Sequence, residues 1–331
     1  MEPMRIGPRL SVAAVSHVGR RQNNEDFHRV LPLETPAGLL LLLAVADGMG
    51  GLEAGEWASK LAIEALSEAA RGYAEHLQSG RPAVGLARVM EKGFLLARRR
   101  VEREAERPGR RGMGTTLTAF LYADWLKEGV VGHIGDSRAY RFGPTGVFRL
   151  TEDHSWVAER VRQGLLSPEE ARTHRWRNVI TNALGSFPQA RVDLLGLKLR
   201  PGDTFLLCTD GLSGVLEERA LKEVLAHFPP AEAAERLVAL ANEWGGPDNV
   251  SVAVVRVPEA LPERQRPYAL PLEAAKGEPV RLQVGEVPEE LTTQILEPAP
   301  KRGRVGWRDA LLILLWVVVV AYILLNSLRT P

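Results

Sequence analysis

Two apolar runs in this 331-residue chain each end in an aspartate followed by a glycine, and this pairing limits the possible folds more than any other feature. Leu39–Ala46 runs into Asp47-Gly48-Met49-Gly50-Gly51, and Thr204–Thr209 runs into Asp210-Gly211. A third run, Val130–Gly135, ends in Asp136-Ser137-Arg138. Short, branched apolar runs bounded by glycine read as buried strands. Each aspartate therefore stands where a rigid core gives way to a polar end. Carboxylates that folding gathers in this way repel one another unless positive charge sits among them. Divalent metal meets that need, so the chain reads as a metal-dependent enzyme.

Composition narrows the class. The chain is 45% hydrophobic and 25% charged, which is enough apolar residue for one large core or two small ones. A net charge of +1 gives no global field that points to nucleic acid. The single cysteine, Cys208, rules out an intrachain disulfide and fits a reducing compartment. It lies inside an apolar run and reads as a small buried hydrophobe rather than a nucleophile. Met1–Leu10 contains no apolar core, so no secretory leader is expected.

From Leu10 to Val257, strand-like and helix-like segments alternate. Strands are expected at Leu10–Val15, Leu39–Ala46, Thr115–Tyr122, Val130–Ile134, Val192–Leu199, Asp203–Thr209 and Val250–Val257. Glu53–Ala70 spaces Trp57, Leu61, Ala65 and Ala69 near the helical period. Ala83–Glu106 does the same with Leu86, Met90, Phe94 and Val101. Val157–Ala171 reads as two short helices around a turn, with Pro168 opening the second. Such alternation predicts mixed α and β layers around one core.

After Val257 the character changes. Prolines punctuate residues 258–306, which read as an extended linker. Ala310–Leu328 then runs without a charge between Asp309 and Arg329. At about 1.5 Å per residue it spans roughly the 30 Å hydrocarbon layer. Residues 307–328 are expected to be a single-pass membrane helix, with 329–331 as a short tail. Lys301, Arg302, Arg304 and Arg308 precede the span and only Arg329 follows, which places the folded part in the cytoplasm.

Further motifs surround the strand ends. Ser16 to Asp26 crowds Arg20 and Arg21 with Glu25 and Asp26. A guanidinium fork matches phosphate, and the acids suit water held near a metal. Gly112-Met113-Gly114-Thr115-Thr116 makes a tight turn into a strand, and Gly245-Gly246-Pro247-Asp248-Asn249 puts one more acid before the last strand.

These motifs, in this order, resemble the metal-dependent serine/threonine protein phosphatases of type 2C (the PPM family) in their compact bacterial form. The resemblance covers Ser11–Val257. It rests on Arg21-x-x-Asn24-Glu25-Asp26, Asp47-Gly48-Met49-Gly50-Gly51, Gly112-Met113-Gly114-Thr115-Thr116, Gly135-Asp136-Ser137-Arg138, Asp153-His154-Ser155, Asp210-Gly211 and Asp248-Asn249. It implies an α+β fold, a four-layer α-β-β-α sandwich of two antiparallel sheets flanked by helices, over a catalytic domain at residues 1–257. It also implies hydrolysis of phosphoserine and phosphothreonine by attack of a metal-bridging water on phosphorus. By resemblance, Asp47 bridges two Mn²⁺ or Mg²⁺ ions, the Gly48 carbonyl binds one of them, and Asp210 and Asp248 bind the other. Glu25 and Asp26 act through water, Arg21 holds the substrate phosphate, and Asp136 holds a third, looser ion with help from Asp210. The chemistry is coherent, because oxygen-only ligands suit hard ions and two ions can clamp an in-line displacement.

Met49 cannot donate a proton, although some family members have histidine there. His154 reads as a structural hydrogen-bonding group and His133 as a core residue. Trp156–Arg177 falls where bacterial members carry a flap. Its arginines (Arg160, Arg162, Arg172, Arg175 and Arg177) read equally as phosphopeptide contacts or as a solvated helix face. The expected partners are phosphorylated proteins and the Ser/Thr kinases that an anchored phosphatase opposes. Two other classes stay open: a catalytically weak phosphoprotein-binding module of the same fold, and a metal-dependent hydrolase of small phosphoesters.

Overall fold

A computed structural model describes residues 10–258 except 52, 82–83, 144–145 and 188–189, and the backbone of 4–6 and 280–282. The expected linker, membrane span and tail fall almost wholly outside these residues. Among the described residues, no helix is long and apolar enough to cross a membrane.

Thirteen strands and seven helices follow in order: β1 Met4–Ile6, β2 Leu10–His17, β3 Asp26–Thr35, β4 Gly38–Met49, α1 Glu53–Gln78, α2 Leu86–Ala105, β5 Gly114–Thr115, β6 Leu117–Ala123, β7 Glu128–Ile134, β8 Arg138–Gly143, β9 Gly146–Arg149, α3 Trp156–Arg162, α4 Pro168–Thr173, β10 Asp193–Lys198, β11 Thr204–Cys208, α5 Asp210–Ser213, α6 Glu218–His227, α7 Pro230–Glu243, β12 Val250–Arg256 and β13 Val280–Leu282. One sheet runs β1-β2-β12-β11-β8-β9 and the other β13-β10-β7-β6-β4-β3, with β5 paired to the end of β4. Every pairing is antiparallel.

Side-chain parity sorts the layers. In β4, Leu39, Leu41, Leu43 and Val45 pack between the sheets against Phe205, Leu207, Ala253 and Val255. Their neighbours Leu40, Leu42, Ala44 and Ala46 face the other way, onto α1 and α2. On the second sheet, Leu206, Cys208, Val252 and Val254 face α6 and α7. A strand buried on both faces reads as a continuous apolar run, which is why β4 stood out in the sequence. The result is the expected helix-sheet-sheet-helix sandwich.

Several expectations shift. The segment Thr115–Tyr122 divides into β5 and β6. On α1 the expected Ala65 and Ala69 are buried, but Ala58 and Ala62 take the places expected of Trp57 and Leu61, and Trp57 is 40% exposed. The strands β1, β3, β8, β9 and β13 (the last within the expected linker) and the helices α5 to α7 add to the expected set. The two short flap helices appear as α3 and α4. The second has a full capping box, with Ser167 and Glu170 bonding each other's backbone N–H.

Candidate active site

The layer between the sheets is apolar along most of its length and turns polar at one end. Continuing the parity of Leu43 and Val45, the next residue on that face of β4 is Asp47. Asp26 lies directly opposite it in the β3–β4 register. On the other sheet the same continuation gives Thr209 after Leu207, Ser251 before Ala253, and Ser16 after Ala14. Thr209 Oγ1 donates to Asp26 Oδ2 at 2.8 Å and accepts from Ser251 N at 2.9 Å. Ser251 Oγ meets Ser16 Oγ at 2.8 Å. This polar seam ties the two sheets together beneath the acids. Asp210 opens α5, Asp136 follows β7 across the Gly135 turn, and Asp248 precedes β12.

The acids act on one another. Asp47 is held well above the usual carboxylate range, first by removal from water and then by Asp26, Asp210, Asp136 and Asp248. Asp136 is raised by burial and then by Asp210 and Asp153. Asp210 is raised by burial and then by Asp248, with Asp47 pulling the other way. Asp26 is pushed up to about 7, chiefly by burial. Glu25 is raised by burial, with Arg21 pulling the other way. Oδ1 of Asp26, of Asp136 and of Asp210 is buried without a hydrogen-bond partner among the described residues. Buried carboxylate oxygens without donors, at mutual repulsion, fit a bound cation, and an all-oxygen set fits a hard one. No three Asp, Glu, His or Cys side chains among the described residues close a cage by themselves. That suits ions which keep much of their water and take few protein ligands.

The backbone around Asp47 is fixed. Its N–H donates to Thr116 Oγ1, while its carbonyl accepts from Thr116 N and Thr115 Oγ1, each at 2.9 Å. Gly48 is required by space: a Cβ there would collide with the Gly55 carbonyl in the first turn of α1. A Cβ on Gly55 would in turn strike the Glu25 carboxylate, which therefore lies against that turn. Gly48 N donates to the Glu25 carbonyl at 3.2 Å and Ser59 Oγ donates to it at 2.7 Å. Asn249 orders the Ser16–Asp26 loop. Its Oδ1 accepts from Glu25 N at 2.8 Å, and its Nδ2 donates to the carbonyls of Val18 and Asn23 at 2.9 Å each.

Arg21 reaches the acids, placing one Nη2 bond of 2.7 Å on Asp248 Oδ2. Its pKa is raised first by that bond, with Asp210 and Asp47 contributing at longer range. The predicted site residues Arg21, Glu25, Asp26, Asp47, Gly48, Asp136, Asp210 and Asp248 thus form one neighbourhood. Motif reading gave no role to Asn249, Thr115, Thr116, Thr209, Ser16 or Ser251. The signal for the last three is their parity at the strand ends.

His154 and His133 are structural, as expected. His154 Nδ1 accepts from Gly135 N at 3.1 Å, which puts the proton on Nε2, 3.2 Å from Asp193 Oδ2. His133 bonds Thr118 and the Glu152 carbonyl, and burial pushes its pKa down to about 3. Cys208 is fully buried, its thiol pushed up to about 12. Beside Asp136 and Asp210 opens a cavity of about 670 Å³, walled by Val157, Val161 and Ala171 of the flap and by Ser213 and Glu217. In its wall, Arg138 holds Asp153 with both Nε and Nη2, and Arg149 also bonds that carboxylate.

The two-sheet sandwich thus carries, at one end of its inter-sheet layer, a cluster of acids whose all-oxygen donors suit hard cations. The family profile "Protein phosphatase 2C" matches residues 14–243, and the chain belongs to that family. The serine/threonine protein phosphatase PstP of Mycobacterium tuberculosis is 39% identical over 238 residues, 72% of this chain and 43% of PstP. The chain thus spans less than half the length of that relative. The Listeria monocytogenes serine/threonine phosphatase stp is 34% identical over 236 residues and matched over 90% of its length. Among solved structures, the M. tuberculosis phosphatase PstP/Ppp superposes with a TM-score of 0.66 at 36% identity, covering 76% of this chain and 99% of that one. A PstP catalytic domain in complex with two manganese ions gives 0.63 at 37% identity, over 75% and 98%.

Proposed function

We propose that this chain is a protein phosphatase that hydrolyses phosphoserine and phosphothreonine with two Mn²⁺ or Mg²⁺ ions, opposing Ser/Thr kinases from a membrane. The observation that carries the reading is the convergence of Asp47, Asp210, Asp26 and Asp136, with unpartnered buried oxygens, beside the Arg21 fork. Asp47 would hold both ions, the Gly48 carbonyl one, and Asp210 and Asp248 the other. Asp136 would hold a third. When bound, the ions supply an activated water and neutralise charge on the phosphoryl oxygens.

The chain's own groups do the rest. Arg21 spends one of its five N–H donors on Asp248, so most of the fork is free to orient phosphate oxygens. Glu25 and Asp26 hold water at the site. Thr115 and Thr116 keep Asp47 from turning away. Met49 offers no proton, so the departing serine or threonine oxygen takes its proton from solvent. The full chain should hydrolyse a phosphothreonine peptide only with Mn²⁺ or Mg²⁺ present. Undiminished hydrolysis after chelation of all divalent metal would remove the metal mechanism.

Anchoring rests on the uncharged stretch Ala310–Leu328 and the basic residues before it. The full chain should fractionate with membranes, and a chain ending before Ala310 should not. Equal partitioning of the two would refute the anchor.

A further inference from the structure

The flap has two faces. One, with Val157, Val161, Pro168 and Ala171, walls the cavity at Asp136 and Asp210. The residues of the other do not line that cavity, and they form an aromatic cluster that neither the core nor the acid centre uses. Trp156 stacks on His174 at 4.9 Å and meets Trp176 edge-on at 4.6 Å. Arg160 lies over the Trp156 ring at 5.0 Å and Arg175 over the Trp176 ring at 4.6 Å. The backbone locks the assembly in place: Trp176 N donates to His174 Nδ1 at 3.1 Å and Trp156 N donates to the Val179 carbonyl at 2.8 Å. Trp176 is 40% exposed, with Val179 and Leu165 also exposed.

We propose that this outer face of the flap docks an acidic segment of the phosphoprotein substrate, remote from the phosphorylated residue. The proposal rests on the phosphatase reading and names a second contact for its substrate. Three observations select that occupant. Neither Arg160 nor Arg175 has a carboxylate partner among the described residues; the Arg160 side chain donates to Gln163 Oε1 at 2.7 Å. By contrast, Arg162 and Arg172 on the same flap are paired with Glu152 and Glu217. A guanidinium stacked on an indole keeps its in-plane N–H donors free, and these match a carboxylate bidentately. Exposed tryptophan with arginine is also the composition of interface anchors, and a cluster already packed pays little ordering entropy on binding.

The test uses the full chain with Mn²⁺ and three substrates: a phosphothreonine peptide with a distal acidic tail, the same peptide with a neutral tail, and a small aryl phosphate. Arg175→Gln and Trp176→Ala should each raise KM for the acidic-tailed peptide about tenfold. Their kcat, and their kinetics on the other two substrates, should stay as in wild type. Arg175→Gln keeps the indole cluster, so it reports even if Trp176→Ala disturbs the flap. Unchanged KM for the acidic-tailed peptide in both variants overturns the proposal. So does an equal loss on all three substrates, or a loss of binding to anionic vesicles without any change in KM. Failure of the wild type to hydrolyse any of the three would instead refute the phosphatase reading itself.

Discussion

Four neighbouring aspartates, Asp26, Asp210, Asp136 and Asp248, act on Asp47. Asp47→Asn removes one of the repelling charges. Without divalent metal, its Tm should exceed that of the wild type by a few degrees, as expected for a gain of about 1 kcal/mol. Its Tm should respond weakly to Mn²⁺, where the wild type responds strongly. Calorimetry with and without the metal checks both. A lower metal-free Tm would mean that the carboxylate is structural. Asn249 carries the opposite kind of dependence. Asn249→Ala strips partners from Glu25 N and from the carbonyls of Val18 and Asn23, at about 1–3 kcal/mol for each group left buried and unpaired. A denaturant titration should show the loss, and kcat/KM should fall with it because the Glu25 loop slackens. Asp47, Asp136 and Asp210 were legible in the sequence because each ends an apolar run. The roles of Asn249 and Thr116 were not, because their partners are backbone groups of distant residues that no spacing reveals.

At the scale of elements, the sequence showed most clearly the strands buried on both faces, β4, β11 and β12. It hid β3, an edge strand that carries Pro32 and Arg29 and is half-buried along its length. Proline belongs at an edge, where no ladder donor is needed. It also hid β8, whose Arg138 and Arg141 look like surface residues until Asp153 and Asp203 are brought to them by folding. The helices α6 and α7 do carry the period, in Leu221, Val224 and Leu225 and in Ala234, Leu237, Val238 and Ala241. Arg141 Nη2 lies 2.6 Å from Asp203 Oδ2, with both side chains nearly sealed from water. Asp203→Ala leaves a buried guanidinium alone and should cost about 3–5 kcal/mol. Because the pair stands away from the acid cluster, Mn²⁺ affinity should not change. A matching fall in Mn²⁺ affinity would show that strand pairing and the site are coupled.

For the whole molecule, pH and metal binding are linked through the acids. Asp26 has its folded pKa raised to about 7, so between about pH 4 and that value the folded state holds a proton that the unfolded state has released. Its contribution to stability is therefore present at low pH and lost as pH rises. His133 works in reverse. Its folded pKa is depressed to about 3, so stability falls as pH drops below its ordinary value of about 6.5. The difference in Tm between Mn²⁺-loaded and chelated protein cancels His133 and isolates the acids. That difference should be larger at pH 8 than at pH 6, and scanning calorimetry at the two values measures it. An equal or smaller difference at pH 8 would mean that the acids do not share their charge with the ion. The central claim, a metal-dependent centre organised on Asp47, meets its most direct test in the turnover of a phosphothreonine peptide by Asp47→Asn at saturating Mn²⁺. The account predicts a loss of several orders of magnitude with the fold intact; a rate within a few-fold of wild type would contradict it.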